Sequence, residues 1–253
     1  VAQLIQSLER GLRILEILGK SDKPLSLGEI TQFFDIDKSS IFRLLSTLTQ
    51  NNFVYQDAET KKYMLGFKIM ELSGAFGEQT KIETFLRPVL KAVCDKTRQN
   101  THLAILHGQE VVFIAVEQPR NGISMHISVG TREPVHATAL GKVLIAFAQK
   151  NEQELLLQGI SFTHYTPHTI VDGNEYRNHL ISIVQNRYAV DDEEYRLGVV
   201  CIAAPVFNHR GEVEYSIGIS GPKDQITPHI ADYITVVQDA GAECSRLLGM
   251  SSR

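Results

Sequence analysis

The sequence predicts an α+β protein of two modest domains joined by a helix. The chain has 253 residues, 43% of them hydrophobic and 21% charged, which is sufficient for two globular cores. Residues 1–65 hold three amphipathic helices and a short hairpin. The remaining residues alternate strand hairpins with helices. That alternation favours a sheet with helices packed mainly on one face over a doubly wound parallel sheet.

Two helices are expected before residue 35. Residues 7–19 form the first, and its apolar side is expected to contain Leu8, Leu12, Leu15 and Leu18. Ser26 and Glu29 have the spacing of a capping box, so a short second helix should begin after Ser26. Its inward side chains are expected to be Leu27, Ile30 and Phe34.

Residues 37–50 predict a third helix, with Asp37 as its N-cap. The apolar spacing i, i+3, i+4, i+7 is met by Ile41, Leu44, Leu45 and Leu48. The opposite side carries Ser39, Arg43, Ser46 and Gln50. Short hydrogen-bonding side chains around one arginine suit a DNA major groove, although an ordinary surface helix is the alternative. The turn of three or four residues before this helix matches a helix-turn-helix.

Two short strand-like runs, residues 53–56 and 62–65, follow the third helix. They predict a hairpin in the position of the wing of a winged helix-turn-helix. Lys61 and Lys62 at its tip could reach phosphate or the minor groove. A hairpin that only completes the core is the alternative. Residues 1–75 contain nine Lys or Arg and nine Asp or Glu, so DNA binding must depend on where the basic residues lie.

The second domain is expected to follow an amphipathic helix at residues 65–76. Its predicted strands are residues 101–107, 110–118, 123–129, 188–190, 197–207 and 212–220. Its predicted helices are residues 78–98, interrupted at Pro88, 136–150, 152–158, 173–187 and 225–248. The inward side chains of the helix at 173–187 are expected to be Leu180, Ile183 and Val184, and residues 130–134 are expected to be a loop.

Small side chains on two of these strands suggest space for a ligand. Ser216, Gly218 and Ser220 share one face of their strand, and Cys201 shares a face with Ala203. Free N–H groups where a helix opens near residues 137–138 suit a carboxylate, and Asp191 could accept a hydrogen bond from a hydroxyl. The alternative for Cys201 is a small buried hydrophobic residue.

Several classes of protein are disfavoured. The three cysteines are widely spaced, which favours reduced thiols in a cytoplasm over disulfides or a zinc site. No apolar run is long enough to span a membrane, and no secretion signal is visible. Nucleophile-elbow, phosphate-loop and HExxH motifs are missing, so we expect no enzyme, cofactor or metal. Two alternatives stay open: an enzyme with a thiol catalyst built from Cys201 and His136, and an interaction module that binds no ligand.

The order of several motifs resembles the IclR-type family of bacterial transcriptional regulators, nearly end to end. The motifs lie at residues 7–15, 25–30, 38–48, 63–66, 136–142 (His-Ala-Thr-Ala-Leu-Gly-Lys), 191–195 (Asp-Asp-Glu-Glu-Tyr), 198–206 and 220–222. The resemblance implies a winged helix-turn-helix at residues 1–65, a linker helix at 66–77 and a GAF-like effector-binding domain at 78–253. It also implies a homodimer, or a tetramer as a dimer of dimers, on a palindromic operator.

The resemblance also implies site residues. The DNA-binding set is Lys38, Ser39, Ser40, Arg43 and Thr47, close to the set from the helical projection, with Lys61 and Lys62 from the wing. Arg43 is expected to read a base, with a salt bridge to a carboxylate as the alternative. The effector-binding set is Met125, Ala139, Leu140, Asp191, Cys201, Gly218 and Ser220.

One effector position departs from the family pattern. Serine is expected where this chain has Gly218, so a hydrogen-bond donor is lost and volume should open. We therefore expect an effector bulkier than a small keto acid, aromatic or sugar-derived. The expected function is a ligand-responsive repressor of a catabolic operon that senses an organic acid.

Overall fold

The computed structural model describes residues 5–72, 82–119 and 127–250, without the side chains of residues 83–84. The chain divides into two compact units, residues 1–81 and residues 82–253. Most of the strand predicted at 123–129 lies outside the described residues, as does Met125. In the described part of the chain, every helix is too short or too polar to cross a membrane.

The first unit is a winged helix-turn-helix, as predicted. Its elements are α1 (Gln6–Lys20), α2 (Leu27–Thr31), α3 (Lys38–Gln50), β1 (Val54–Gln56) and β2 (Tyr63–Leu65), and residues 68–72 are helical. The strands pair antiparallel, and Leu25 bridges to Tyr63 on the other side of β2. The capping box forms as expected, because the Ser26 side chain accepts from the Glu29 N–H while Glu29 accepts from the Ser26 N–H.

The core of the first unit confirms the inward side of α3 and part of that of α1, where Leu18 is buried and Leu15 packs against the core. Buried side chains include Ile14, Leu18, Ile30, Ile41, Leu45, Val54 and Tyr63. Leu8 and Leu12 were predicted inside, yet they are 60% and 54% exposed. The buried line of α1 passes instead through Gly11, Ile14 and Leu18. The prediction was based on the positions of the leucines. The side of α1 that packs against the core instead has the spacing i, i+3, i+7 counted from Gly11.

The second unit contains one six-stranded sheet. Its strands are β3 (Asn100–His107), β4 (Glu110–Glu117), β5 (Arg132–Pro134), β6 (Ala189–Asp192), β7 (Val199–Phe207) and β8 (Val213–Pro222). Its helices are α4 (Ile82–Thr97), α5 (Ala139–Ala146), α6 (Lys150–Gly159), α7 (Gly173–Asn186), α8 (Lys223–Ile226) and α9 (Ile230–Leu247), with a 3-10 turn at Thr227–His229. The order is β5-β4-β3-β8-β7-β6, and every neighbouring pair is antiparallel.

Helices cover both faces of this sheet, so the prediction of helices mainly on one face is wrong. One core contains Ile202 and Ile217 with side chains of α4 and α9. The other contains Ala203 with side chains of α5 and α7. Consecutive strand residues point to opposite faces, and in β7 both kinds are apolar. The second face is lined by small residues, which predict space for a ligand from the sequence but also let α5 pack closely.

Five local predictions in the second unit are wrong. Residues 127–128 are not in a strand, whereas Arg132–Pro134 form β5 where a loop was expected. Helix α5 begins at Ala139, after a turn, and ends at Ala146. The closing helix is divided, because Pro228 lies in the 3-10 turn before α9. Val184 is exposed, unlike Leu180 and Ile183.

Candidate functional site

The N-terminus of α3 is held by a network centred on Asp37. The Asp37 carboxylate accepts the backbone N–H of Ser40 at 2.9 Å and the Ser40 hydroxyl at 2.7 Å, and the Ser39 hydroxyl also donates to it. These hydrogen bonds, that from Ser39 first, hold the pKa of Asp37 well below its usual range. Both predicted phosphate-binding serines therefore already have a partner, which they would have to share or exchange on DNA.

The outward face of α3 presents Arg43 to solvent. Lys38, Arg43 and Thr47 are all exposed. None of the ion pairs formed by the described residues involves Arg43, so the salt bridge considered as its alternative role is not formed there. The Thr47 hydroxyl donates to the Arg43 carbonyl at 3.0 Å. The guanidinium fork thus has all its donors available for an external acceptor.

The tip of the hairpin is built by Asp57. Its carboxylate accepts the N–H and the hydroxyl of Thr60, both at 2.7 Å. Lys61 has a positive φ of 57° and is exposed, while Lys62 is half-buried. Of the two predicted wing lysines, Lys61 is therefore the freer to reach a phosphate.

A small, partly open cavity lies in the second unit, between the sheet and the start of α5. Its lining is His102, Phe113, Ile127, Glu133, Thr138, Ala139, Leu140, Asp191, Tyr195, Arg196, Val199, Cys201, Ile219 and Ser220. The space open to the centre of a water molecule is about 20 Å³, and about 10–15 Å³ is enough for one water. Five predicted effector residues come together here: Ala139, Leu140, Asp191, Cys201 and Ser220.

Strand register brings three of these side chains into one row. Cys201 on β7 is paired with Asp191 on β6 and with Ser220 on β8. Directly paired side chains lie on the same face of an antiparallel sheet. The three residues are far apart in sequence, and only the strand order makes them neighbours.

The start of α5 supplies two free N–H groups. The Thr138 hydroxyl accepts the N–H of Gly141 at 3.3 Å, and the Thr138 carbonyl accepts that of Lys142 at 2.9 Å. The first-turn N–H groups of Ala139 and Leu140 have no acceptor among the described residues. A Cβ at position 141 would lie 2.2 Å from the Val135 carbonyl oxygen, so only glycine allows this close turn. The cavity therefore has donors suited to a carboxylate.

A buried lysine joins α5 to the acidic residues after β6. Lys142 is completely buried, and its ammonium group donates to the Val190 carbonyl at 2.6 Å and to the Glu194 carboxylate at 2.5 Å. Asp191 in turn accepts the N–H of Glu194 at 2.7 Å. Burial raises the pKa of Asp191 to about 7, although Lys142 opposes this shift. Asp191 can thus carry a proton near neutral pH and donate it in a hydrogen bond.

The polar lining residues that were not predicted from the sequence include His102, Glu133 and Arg196. The His102 Nε2 atom is 2.7 Å from the Ser220 hydroxyl, and the ring stacks on Phe113 with centroids 5.0 Å apart. Arg196 binds the Glu133 carboxylate at 3.2 Å. Burial raises the pKa of Glu133 and lowers that of His102 to about 4, so His102 is neutral at pH 7. No single strand or helix carries these side chains together, and sequence spacing gave no signal for them.

Two predicted effector residues are not in the lining. Met125 lies outside the described residues. Gly218 is not one of the lining residues, and a Cβ at this position would lie 2.6 Å from the Ile202 carbonyl oxygen and 3.2 Å from the Leu140 side chain. The prediction that Gly218 opens volume is therefore wrong, and with it the reason for expecting a bulky effector.

The thiol-catalyst alternative is not supported by the environment of Cys201. Burial, and then the nearby Asp191 carboxylate, raise the pKa of the Cys201 thiol well above its usual value. His136 instead faces the Thr163 carbonyl, with its Nε2 atom at 3.0 Å. Among the described residues, no cluster of His, Cys, Asp or Glu is arranged to hold a metal ion.

Comparison with known proteins gives consistent relatives over the whole chain. Residues 7–58 match the IclR helix-turn-helix domain, and residues 76–246 match the C-terminal domain of the bacterial transcriptional regulator IclR. The transcriptional regulator XynR of Escherichia coli is 34% identical, covering 97% of this chain and 98% of its own. The repressor AllR of the same species is 29% identical, and the match covers 98% of this chain and 92% of AllR.

Solved structures agree in fold. A putative IclR regulator from Silicibacter sp. has a TM-score of 0.87 at 21% identity, covering 98% of both chains. The repressor BlcR of Agobacterium tumefaciens has a TM-score of 0.81 at 23% identity, covering 99% of this chain and 100% of its own. With both domain models matched and a relative above 30% identity, this chain belongs to the IclR family of bacterial transcriptional regulators.

Proposed function

We propose that this regulator is a repressor of a catabolic operon in the cytoplasm and that it releases its operator when a small organic acid enters the cavity. The observation that carries the proposal is the cavity itself. Its lining combines the free N–H groups of Ala139 and Leu140 with the side chains of Asp191, Cys201 and Ser220. The sign of regulation follows the relative AllR, which is named a repressor.

The DNA-binding half of the proposal depends on α3. Arg43 is exposed and outside every ion pair of the described residues, so its fork is available for guanine O6 and N7. Lys38, Ser39, Ser40 and Thr47 would contact the same groove or its phosphates, and Lys61 and Lys62 would act from the wing. A homodimer, or a tetramer made of two dimers, would present these faces to a palindromic operator.

The effector half depends on charge and size. A carboxylate would take the two N–H groups at the start of α5, with Arg196 as a second source of positive charge. A protonated Asp191 would donate to a further oxygen of the ligand. The space of about 20 Å³ open to water centres holds little more than one water, so even a compact acid would displace part of the lining. A compact acid therefore replaces the bulky acid expected from the sequence.

A mobility shift tests both halves at once. The protein should retard DNA from upstream of its own gene, and a compact organic acid should abolish the shift. An Arg196→Gln variant should still bind the DNA but need at least tenfold more acid for release. Arg177→Gln is the matched control, because Arg177 pairs with Glu154 at 2.7 Å and is not in the cavity lining.

Two results would contradict the proposal. If the protein shifts no DNA from its own locus under any condition, the operator-binding half is wrong. If Arg196→Gln and Arg177→Gln release DNA at the same acid concentration as the unmodified protein, the acid does not use this cavity.

A further inference from the structure

One ring nitrogen beside the cavity has no hydrogen-bond partner among the described residues. The Nε2 atom of His102 is hydrogen-bonded to the Ser220 hydroxyl at 2.7 Å. The Nδ1 atom of the same ring is buried and has no hydrogen-bond partner within the described residues. His102 is only 2% exposed, and it lines the cavity. A buried polar atom without a partner is costly in free energy, so such an atom beside a cavity suggests that something else binds it.

The ring cannot easily turn to find another partner. Stacking on Phe113, with an angle of 16° between the two rings, fixes its plane, and the hydrogen bond to Ser220 fixes its rotation. Flipping the ring would break that bond and leave the other nitrogen unpaired.

Strand register connects His102 with the glycine that departs from the family pattern. His102 on β3 is paired directly with Gly218 on β8. Position 218 leaves no room for a side chain unless Leu140 and the strand next to it move. His102 therefore carries a polar group on the same face of the sheet where a serine at position 218 would carry one.

We propose that His102 determines effector specificity by binding, through Nδ1, a second oxygen on the carbon next to the carboxylate of the effector. The expected ligands are thus 2-hydroxy or 2-oxo acids. This inference rests on the proposed function, since it takes the cavity as the effector site. The small size of the cavity favours a second oxygen close to the carboxylate, because a longer spacer would require the lining to move further.

The two kinds of acid differ in what they require of the histidine. A neutral imidazole carries its proton on only one nitrogen. If Ser220 donates to Nε2, then Nδ1–H is a donor that can bind either a hydroxyl or an oxo group. If Nε2–H donates to Ser220, then Nδ1 is an acceptor and only a hydroxyl can bind it. Comparing the two acids therefore reports the tautomer as well.

Calorimetry with matched acids tests the proposal. The probes are unbranched acids of two to six carbons, each as the 2-hydroxy, 2-oxo and unsubstituted form. The unmodified protein should bind at least one substituted form roughly tenfold more tightly than the unsubstituted acid of equal length. His102→Gln keeps an amide at the position of Nε2 but has no atom at Nδ1, so it should lose this preference. His102→Asn keeps a polar atom at the position of Nδ1 and should retain it.

His107→Gln is the control, because His107 is on the same strand but exposed and outside the cavity lining. It should leave the preference unchanged. Equal affinity of the unmodified protein for substituted and unsubstituted acids would overturn the role of His102 and leave acid sensing intact. A preference that survives in His102→Gln would overturn it as well. If no acid binds at all, both this inference and the proposed acid sensing fail, whereas operator binding stands on its own assay.

Discussion

The two candidate sites of this protein are built in opposite ways. On α3 the proposed DNA-binding side chains are mostly exposed, and Arg43 has no ion-pair partner among the described residues. Near the cavity, Lys142 and Asp191 are only 0% and 2% exposed. Both are hydrogen-bonded to backbone groups of the residues around them. Substitutions in the first site should therefore reduce DNA binding without changing folding stability. Substitutions in the second should change folding stability and function together.

The largest expected difference concerns two lysine–glutamate pairs. Replacing Lys142 by Met leaves the buried Glu194 carboxylate without its cation, so the free energy of unfolding should fall by about 3–5 kcal/mol. Lys68→Met removes the exposed pair with Glu71 in the first unit and should cost less than about 1 kcal/mol. Denaturant unfolding monitored by circular dichroism measures both. A similar loss of unfolding free energy in the two variants would show that burial does not make the Lys142–Glu194 pair more important for stability than the exposed pair.

Two helical glycines offer a second contrast. In Gly141→Ala the new Cβ would lie 2.2 Å from a backbone oxygen, so the free energy of unfolding should fall by about 3 kcal/mol. In Gly11→Ala on α1 nothing lies within 4 Å of the new Cβ, and the variant should gain roughly 0.5–1 kcal/mol from helix propensity. Thermal unfolding checks both signs. A neutral Gly141→Ala would mean that α5 can move away from Val135 without cost.

For Arg43→Ala, operator affinity should weaken by about 1–3 kcal/mol, and the protein should lose one base preference. Its unfolding free energy should stay within about 0.5 kcal/mol of the unmodified value, because Arg43 is exposed. Arg43→Lys keeps the charge but loses the fork, so it should show the same loss of base preference. Fluorescence anisotropy with operator variants measures this. Unchanged affinity and unchanged preference in Arg43→Ala would remove Arg43 from the reading face.

The last expected effect depends on pH. Asp191 has a folded-state pKa of about 7, above its unfolded value, so the folded state holds the proton more tightly. Its contribution to stability is fully present below about pH 4 and is lost as pH rises to about 7, at up to about 1.4 kcal/mol per unit. Asp37 has the opposite sign, because its lowered pKa stabilises the fold above the unfolded pKa and the effect is lost on acidification.

Asp191→Asn isolates the Asp191 contribution. The difference in unfolding free energy between this variant and the unmodified protein should change steadily between about pH 4 and 7. The buried His102, whose pKa is lowered, cancels in that difference since it is present in both proteins. A difference that is constant over this range would contradict a raised pKa for Asp191.

The sequence was sufficient for elements whose periodicity is complete. Helix α3 was predicted because its apolar spacing and its cap agree, and Ile41 and Leu45 are buried as expected. The hairpins β3–β4 and β7–β8 were predicted because a short turn joins two β-rich runs. Strand β5 could not be found this way, because Arg132, Glu133 and Pro134 have low strand propensity and pair only at the sheet edge.

Prediction of the cavity was limited by topology. Ala139, Leu140, Asp191, Cys201 and Ser220 were named from the resemblance and line the cavity, although their role remains a proposal. His102 and Arg196 were missed because nothing in the sequence places β3 beside β8 or turns the residues after β6 toward the cavity. The effect of Gly218 was misjudged because a missing side chain opens volume only where no neighbour already fills it.

The Asp37 cap has a consequence for the time that the regulator would spend on the wrong DNA. Asp37 stays charged next to Lys38, and residues 1–75 carry nine charges of each sign. Non-specific binding to DNA is driven by the counterions that basic side chains release from the phosphates. A domain with equal numbers of acidic and basic residues should release few of them. We expect brief visits to random sequence instead of long sliding. The search for an operator would then be governed by fast dissociation from all other sites, and few copies of the regulator would be held elsewhere on the chromosome.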